Sequence, residues 1–216
     1  MTALLRASFF LSLAVYAQAA SPFAFSNTLS DHAVLQNPII IFGTGAAGST
    51  VVTTVTSAPS VTLNATVGDD GIWRQQLPVM AEGTAAFNVT SRSRGTSIVL
   101  HDLLCGRTIL CSGQSNIDTV TVSKALNATA ELAACADWPY VRFMKTARVN
   151  AWDGPQTELP TPAISWSVPS ATSCHDFSAT CFFFGARAVP TTRWHHASRH
   201  RAKCCRRHSG TKLGSD

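Results

Sequence analysis

Charge is scarce in this sequence. Only 13% of its 216 residues are charged while 45% are hydrophobic, a balance that excludes a disordered chain and leaves apolar material for one ordinary core or two small ones. Internal repeats are missing too, which excludes a solenoid or a propeller. Beyond residue 20 no apolar run is long enough to span a membrane. The seven cysteines (Cys105, Cys111, Cys135, Cys174, Cys181, Cys204 and Cys205) are odd in number, and their spacings fit neither a zinc ribbon nor a small disulfide scaffold. They could pair in an oxidising compartment, but the pairing stays open. Even the net charge of +5 is local: from Pro190 onward seven bases (Arg193, Arg199, Arg201, Lys203, Arg206, Arg207 and Lys212) face one acid, Asp216. The remainder is close to neutral, so the basicity says nothing about the body of the chain.

What is present begins with a leader. Residues 1–20 carry Arg6, then the apolar run from Phe9 to Val15, then Ala17-Gln18-Ala19, the small-x-small pattern that precedes signal-peptide cleavage. Three N-glycosylation sequons follow, at Asn64, Asn88 and Asn127, which is the surface chemistry of a secretory product. The expectation is a protein of the secretory pathway, extracellular or lysosomal.

From residue 23 to about 104 short strands alternate with turn signals. Ile39 to Phe42 is a buried-type run closed by Gly43. Val61 to Val67 alternates strictly, with Val61, Leu63 and Val67 on the core face and Asn64 on the solvent face. Asp69-Asp70-Gly71 then separates that strand from Ile72-Trp73, as in a hairpin, and Phe87-Asn88-Val89 repeats the pattern. Residues 21–104 are expected to form an antiparallel β-sandwich. After Leu104 the pattern changes. Residues 107–111 read as a buried strand, 112–116 as a tight turn, 126–135 as a helix halted before Pro139, and 141–144 as a second strand. That order begins a parallel α/β sheet, here over residues 105–189. Residues 152–173 read as an irregular connection and 177–188 as a covering helix. Residues 190–216 lose all apolar periodicity and are expected to be a disordered basic tail.

A serine on the turn at the carboxyl end of a first α/β strand stands at the functional edge of such a sheet. Ser115, within Gly113-Gln114-Ser115-Asn116, has that place. Its surroundings resemble the sialate O-acetylesterase family of the SGNH hydrolase superfamily. The resemblance runs from Phe25 to about Val189, through Asp31-His32-Ala33-Val34-Leu35-Gln36, the stretch from Val99 to Gly106, Leu110 to Asn116, Trp166-Ser167-Val168-Pro169 and the stretch from Phe177 to Gly185. It implies an N-terminal β-sandwich, the truncated start of an α/β esterase domain, Ser115 as the nucleophile that removes O-acetyl groups from sialic acid, and no metal or organic cofactor. Ile117 stands where the family usually has methionine, a change that conserves volume.

A serine hydroxyl needs a base, usually a histidine oriented by a carboxylate. The superfamily draws that pair from an Asp-x-x-His motif, and none of the seven histidines has an aspartate three residues before it. His101 and His175 read as structural or surface residues. His196, His200, Cys204 and His208 recur every four residues with zinc-compatible chemistry, but among cations that oppose a divalent metal. Nucleic acid is not an expected partner; O-acetylated sialic acid or a related acetylated glycan is. Two functional readings therefore compete: an esterase left inactive or nearly so by its missing base, and a non-catalytic secreted product that binds glycan or does nothing.

The tail itself has an explanation in the genetic code. In the family this place holds a strand of the form Pro-x-Gly-Ile-x-x-Ser-x-x-Gly-Gly-Thr, whose glycine serves the oxyanion hole. Codons compatible with residues 189–208, shifted forward by one base, can spell Tyr-Gln-Gln-His-Gly-Gly-Ile-Met-Pro-Val-Gly-Ile-Val-Gln-Ser-Ala-Val-Gly-Gly-Thr. The tail is thus expected to be the family's next motif in another frame, which the coding DNA over residues 187–216 decides.

Overall fold

The computed structural model describes residues 21–57, 59–147 and 158–188. The leader and the basic tail, with the histidines and cysteines of the tail, lie outside the described residues.

Eight strands come first: β1 (Ala24–Phe25), β2 (Val34–Leu35), β3 (Ile40–Thr44), β4 (Thr50–Val55), β5 (Val61–Thr66), β6 (Ile72–Gln76), β7 (Phe87–Ser93) and β8 (Thr96–Cys105). They form a three-stranded sheet in the order β1-β3-β6 and a five-stranded sheet in the order β2-β8-β7-β4-β5. Alternation along the strands decides what goes inside. In β4, Val51, Thr53 and Val55 are buried while Thr50 and Val52 are exposed, as a pleated strand with one covered face requires. Both sheets contribute to one core, in which Ile41 and Trp73 from the first meet Val51, Val55, Val89, Leu100 and Leu103 from the second. The buried Thr53 is paired across the strands with Ser91, and their hydroxyls satisfy each other at 2.7 Å, so neither is left as an unpaired polar group in the core. β7 and β8 turn through Arg94 and Gly95, both at positive φ. This two-residue turn follows the right-handed strand twist.

Three expectations need correction here. β5 and β6 are strands and the turn between them exists, with Gly68 N–H donating to the Ile72 carbonyl. They do not form a hairpin, however: β5 pairs with β4 and β6 with β3, antiparallel in both cases. The turn therefore carries the chain from one sheet to the other. The run at Ile39 to Phe42 is not buried on both faces, because Ile40 is 50% exposed while Ile39 and Ile41 are covered. The first sheet has one wet face. Residues 107–111 form no strand, and Leu110 is 93% exposed. Among the described residues no strand lies beside them. Thr108 instead gives its backbone N–H to the side chain of Gln36. An apolar run becomes a strand only where a neighbour takes up its backbone polar groups.

The second part is built on short helices: α1 (Ser115–Asp118), α2 (Ala128–Ala134), α3 (Ala171–Cys174) and α4 (Ala179–Ala188), with 3-10 turns at Val122–Lys124 and Cys135–Asp137. α2 and α4 fall within the helices expected from the sequence. The expected second strand is β9 (Phe143–Lys145), but its partner is β10 (Ile164–Ser167), lying antiparallel inside the stretch read as irregular. β2 with β8 is the sole parallel pair among the described residues. A small core of Val122, Cys135, Phe143, Cys174, Ala179 and Phe182 holds this part together. Phe143 meets Phe182 edge to face at 6.1 Å, a favourable ring geometry. Trp166 of β10 crosses back to the strands, donating its indole N–H to the Thr28 carbonyl.

Candidate active site

Ser115 is exposed and opens α1, with Gln114 in the capping position before it. The Gln114 carbonyl accepts from the N–H groups of Ile117 and Asp118, and Thr119 returns both its N–H and its hydroxyl to the Ser115 carbonyl. The turn is thus closed on both sides of the serine. The N–H groups of Ser115 and Asn116 belong to the first turn of a helix, where no intrahelical acceptor exists. Gly113 is required by space, since a Cβ there would lie 2.5 Å from Cγ1 of Ile117. Ile117 is therefore the side chain packed against this glycine.

Two links fix this turn to its surroundings. Cys111 is disulfide-bonded to Cys181 of α4. Asp118, one turn beyond Ser115, pairs with Lys145 of β9 at 3.3 Å, and the same ammonium reaches the Asp176 carbonyl at 3.4 Å. Neither link could be read from spacing, because each joins segments far apart in the chain.

The histidines sit elsewhere in the bonding. His175 is exposed and pairs with its neighbour Asp176 at 2.8 Å. His101 is exposed, and its backbone serves Asp31 and His32. Among the described residues neither forms a hydrogen bond with Ser115. The sequence reading did not anticipate a third group, in which His32 Nδ1 lies 2.7 Å from Asp102 Oδ2 and Arg142 donates to the same oxygen at 3.1 Å. His32 and Asp102 both have positive φ, the left-handed region that non-glycine residues seldom adopt. They meet because β2 runs parallel to β8. The Arg142 side chain is only 5% exposed, so its charge has Asp102 as a necessary counterion.

Burial raises the Asp102 pKa, but the hydrogen bonds and charges of His32 and Arg142 outweigh it and leave the carboxyl below its ordinary 3.8. A depressed carboxylate adds stability above its unfolded value and loses it as pH falls through the folded one. Asp102→Asn keeps a residue tolerant of the left-handed backbone. The variant is expected to be less stable than the parent at pH 7, by about 1 kcal/mol after allowance for solvent around Asp102, with the gap closing below pH 3.8. Urea midpoints at several pH values check this, and a gap that persists unchanged into acid would refute it.

Of the sequon asparagines, Asn64 and Asn127 are exposed and Asn88 is half-buried, its Oδ1 accepting from the Asp102 N–H. Among the described residues no group of three His, Cys, Asp or Glu side chains could hold a metal ion, and no helix is long and apolar enough to cross a membrane.

No protein-family model matches the chain. It is 29% identical over 187 residues to the sialate O-acetylesterase of Rattus norvegicus, covering 80% of this chain and 34% of the relative. The enzyme of Homo sapiens matches at 27% over 187 residues, covering 80% and 35%. The chain is homologous to the sialate O-acetylesterases. It spans about a third of the length of these relatives. Among solved structures a carbohydrate acetylesterase from Xanthomonas citri superposes with a TM-score of 0.65 at 23% identity, covering 74% of this chain and 36% of that one. At that identity the likeness is one of fold. The sialate O-acetylesterase resemblance drawn from the motifs around Ser115 is thus upheld.

Proposed function

We propose that this chain carries the nucleophile turn of a sialate O-acetylesterase-like enzyme, with an N-terminal β-sandwich before it, and that by itself it is inactive or nearly so. In the reaction Ser115 Oγ would bond to the acetyl carbon of an O-acetylated sialic acid or related glycan. The carbonyl would become an oxyanion, and collapse would expel the sugar oxygen, which must gain a proton. Water would then split the acetyl-enzyme into acetate and free Ser115. The observation that carries the nucleophile reading is the exposed Ser115 at the head of α1, on a turn closed by Gln114 and Thr119, in a chain homologous to sialate O-acetylesterases.

Inactivity follows from the base. Each step moves a proton, and among the described residues the ring of His32 bonds Asp102, the ring of His175 bonds Asp176, and no histidine bonds Ser115. Removing the base from a serine hydrolase costs on the order of a million-fold in turnover. Secretory passage, with glycans on Asn64, Asn88 or Asn127, belongs to the same proposal; cleavage near Ala20 and a mobility shift on glycosidase digestion are its signature.

The purified chain and Ser115→Ala, assayed side by side on 4-nitrophenyl acetate and on O-acetylated sialic acid, are both expected to match the rate in buffer alone. Turnover abolished by the substitution would overturn the inactivity. Turnover that survives it would overturn Ser115 as the nucleophile.

A further inference from the structure

Among the described residues three cysteines are free and buried: Cys105, Cys135 and Cys174. Cys105 belongs to the β core, where Asn37 donates to its sulfur and its own thiol reaches the Met80 carbonyl, both at 3.5 Å. It is committed there. Cys135 and Cys174 occupy the other core, each with no exposed surface. Cys135 opens the 3-10 turn after α2 and Cys174 closes α3, and these two elements pack against each other within the one core.

We propose that Cys135 and Cys174 are joined by a disulfide when the protein is made in an oxidising compartment. Two buried thiols of one core, on elements packed together, in a chain whose Cys111 and Cys181 are already paired, are placed to cross-link in an oxidising compartment. Among the described residues only four others are buried in the core with them, Val122, Phe143, Ala179 and Phe182, and small cores gain most from a covalent staple. Bond formation removes a proton and an electron from each sulfur. The acceptor is a dithiol–disulfide oxidant of the secretory pathway, whose own disulfide becomes two thiols. The exchange takes place before the segments close, because in the folded chain desolvation pushes the Cys135 thiol far above its ordinary range and keeps it unreactive. Once made, the bond pins the turn that ends α2 to the end of α3. It does not depend on Ser115 being active.

The full chain, with its leader, is expressed in secreting cells, and thiols are trapped with N-ethylmaleimide in both medium and lysate. The denatured protein is then digested without reduction and mapped by mass spectrometry. The expected result is one cross-linked species containing Cys135 and Cys174, free of maleimide and resolved into two peptides on reduction. In Cys135→Ser the maleimide should move onto Cys174. The cross-link should persist in a Cys204→Ser/Cys205→Ser chain, which removes the competing thiols of the tail. Maleimide on Cys135 or Cys174 of the parent chain, or either one bonded to another cysteine, overturns the proposal.

Discussion

Trp73→Ala is expected to lower the stability of the β-rich part by about 3–5 kcal/mol, the range for deleting a large aromatic from a core. Trp73 has no exposed surface and packs its ring against Phe23 at 5.9 Å and Phe25 at 5.5 Å. The core it belongs to draws residues from both sheets, so the space it leaves cannot close without shifting a strand. A domain is stable by only about 5–15 kcal/mol, so the loss is a large share of the whole. Trp73→Phe keeps much of the volume but gives up the indole N–H bond to the Thr44 carbonyl at 3.0 Å, and should cost about 1–2 kcal/mol. Urea unfolding followed by far-ultraviolet circular dichroism separates the two. Equal midpoints for the alanine variant and the parent would show that Trp73 is not the centre of this core.

Strands were legible in the sequence wherever burial alternates. β5 is the clear case, since Leu63 packs against the core and Asn64 is exposed, along the expected faces. Which strand lies beside which was not legible. The turn at Gly68 and Gly71 has hairpin hydrogen bonding, yet β5 and β6 leave it for different sheets, because a local turn fixes direction and tertiary packing fixes partners. The apolar run at residues 107–111 shows the same limit from the other side. Composition marks it as a strand, and the absence of a neighbouring strand among the described residues leaves Ile109 and Leu110 in solvent.

At the candidate site the sequence carried the local part. Gly113, Gln114 and Ser115 form the expected turn, and the crowding between Gly113 and Ile117 is a relation over four residues. The long-range part could not be read. His32 and Asp102 are 70 residues apart and follow no motif; only the parallel pairing of β2 with β8 brings them together. An inventory for Asp-x-x-His covers neither that pair nor His175 with Asp176, in which the carboxylate follows its histidine. Asp118 and Lys145 likewise needed the fold before they became neighbours.

The link with the largest consequence for Ser115 is also non-local. Cys111 lies four residues before the serine, in a segment with no strand pairing among the described residues, and its bond to Cys181 anchors that segment to α4. A Cys111→Ser/Cys181→Ser chain is expected to lose about 4 kcal/mol, the chain-entropy value for a loop of this order, given a sequence separation of 70. The effect should be largest in the helical part, whose core is small, and least in the β strands, which the bond does not touch. Hydrogen exchange makes the distinction, with faster exchange in α1 and α4 and little change in β4 and β7. In a Cys135→Ser/Cys174→Ser background, dithiothreitol should bring the chain with the Cys111–Cys181 bond to the same behaviour and leave the chain without it unmoved. If exchange in α1 stays as slow without the bond as with it, the Asp118–Lys145 pair and the short core hold the Ser115 turn by themselves, and the disulfide is not what positions Ser115.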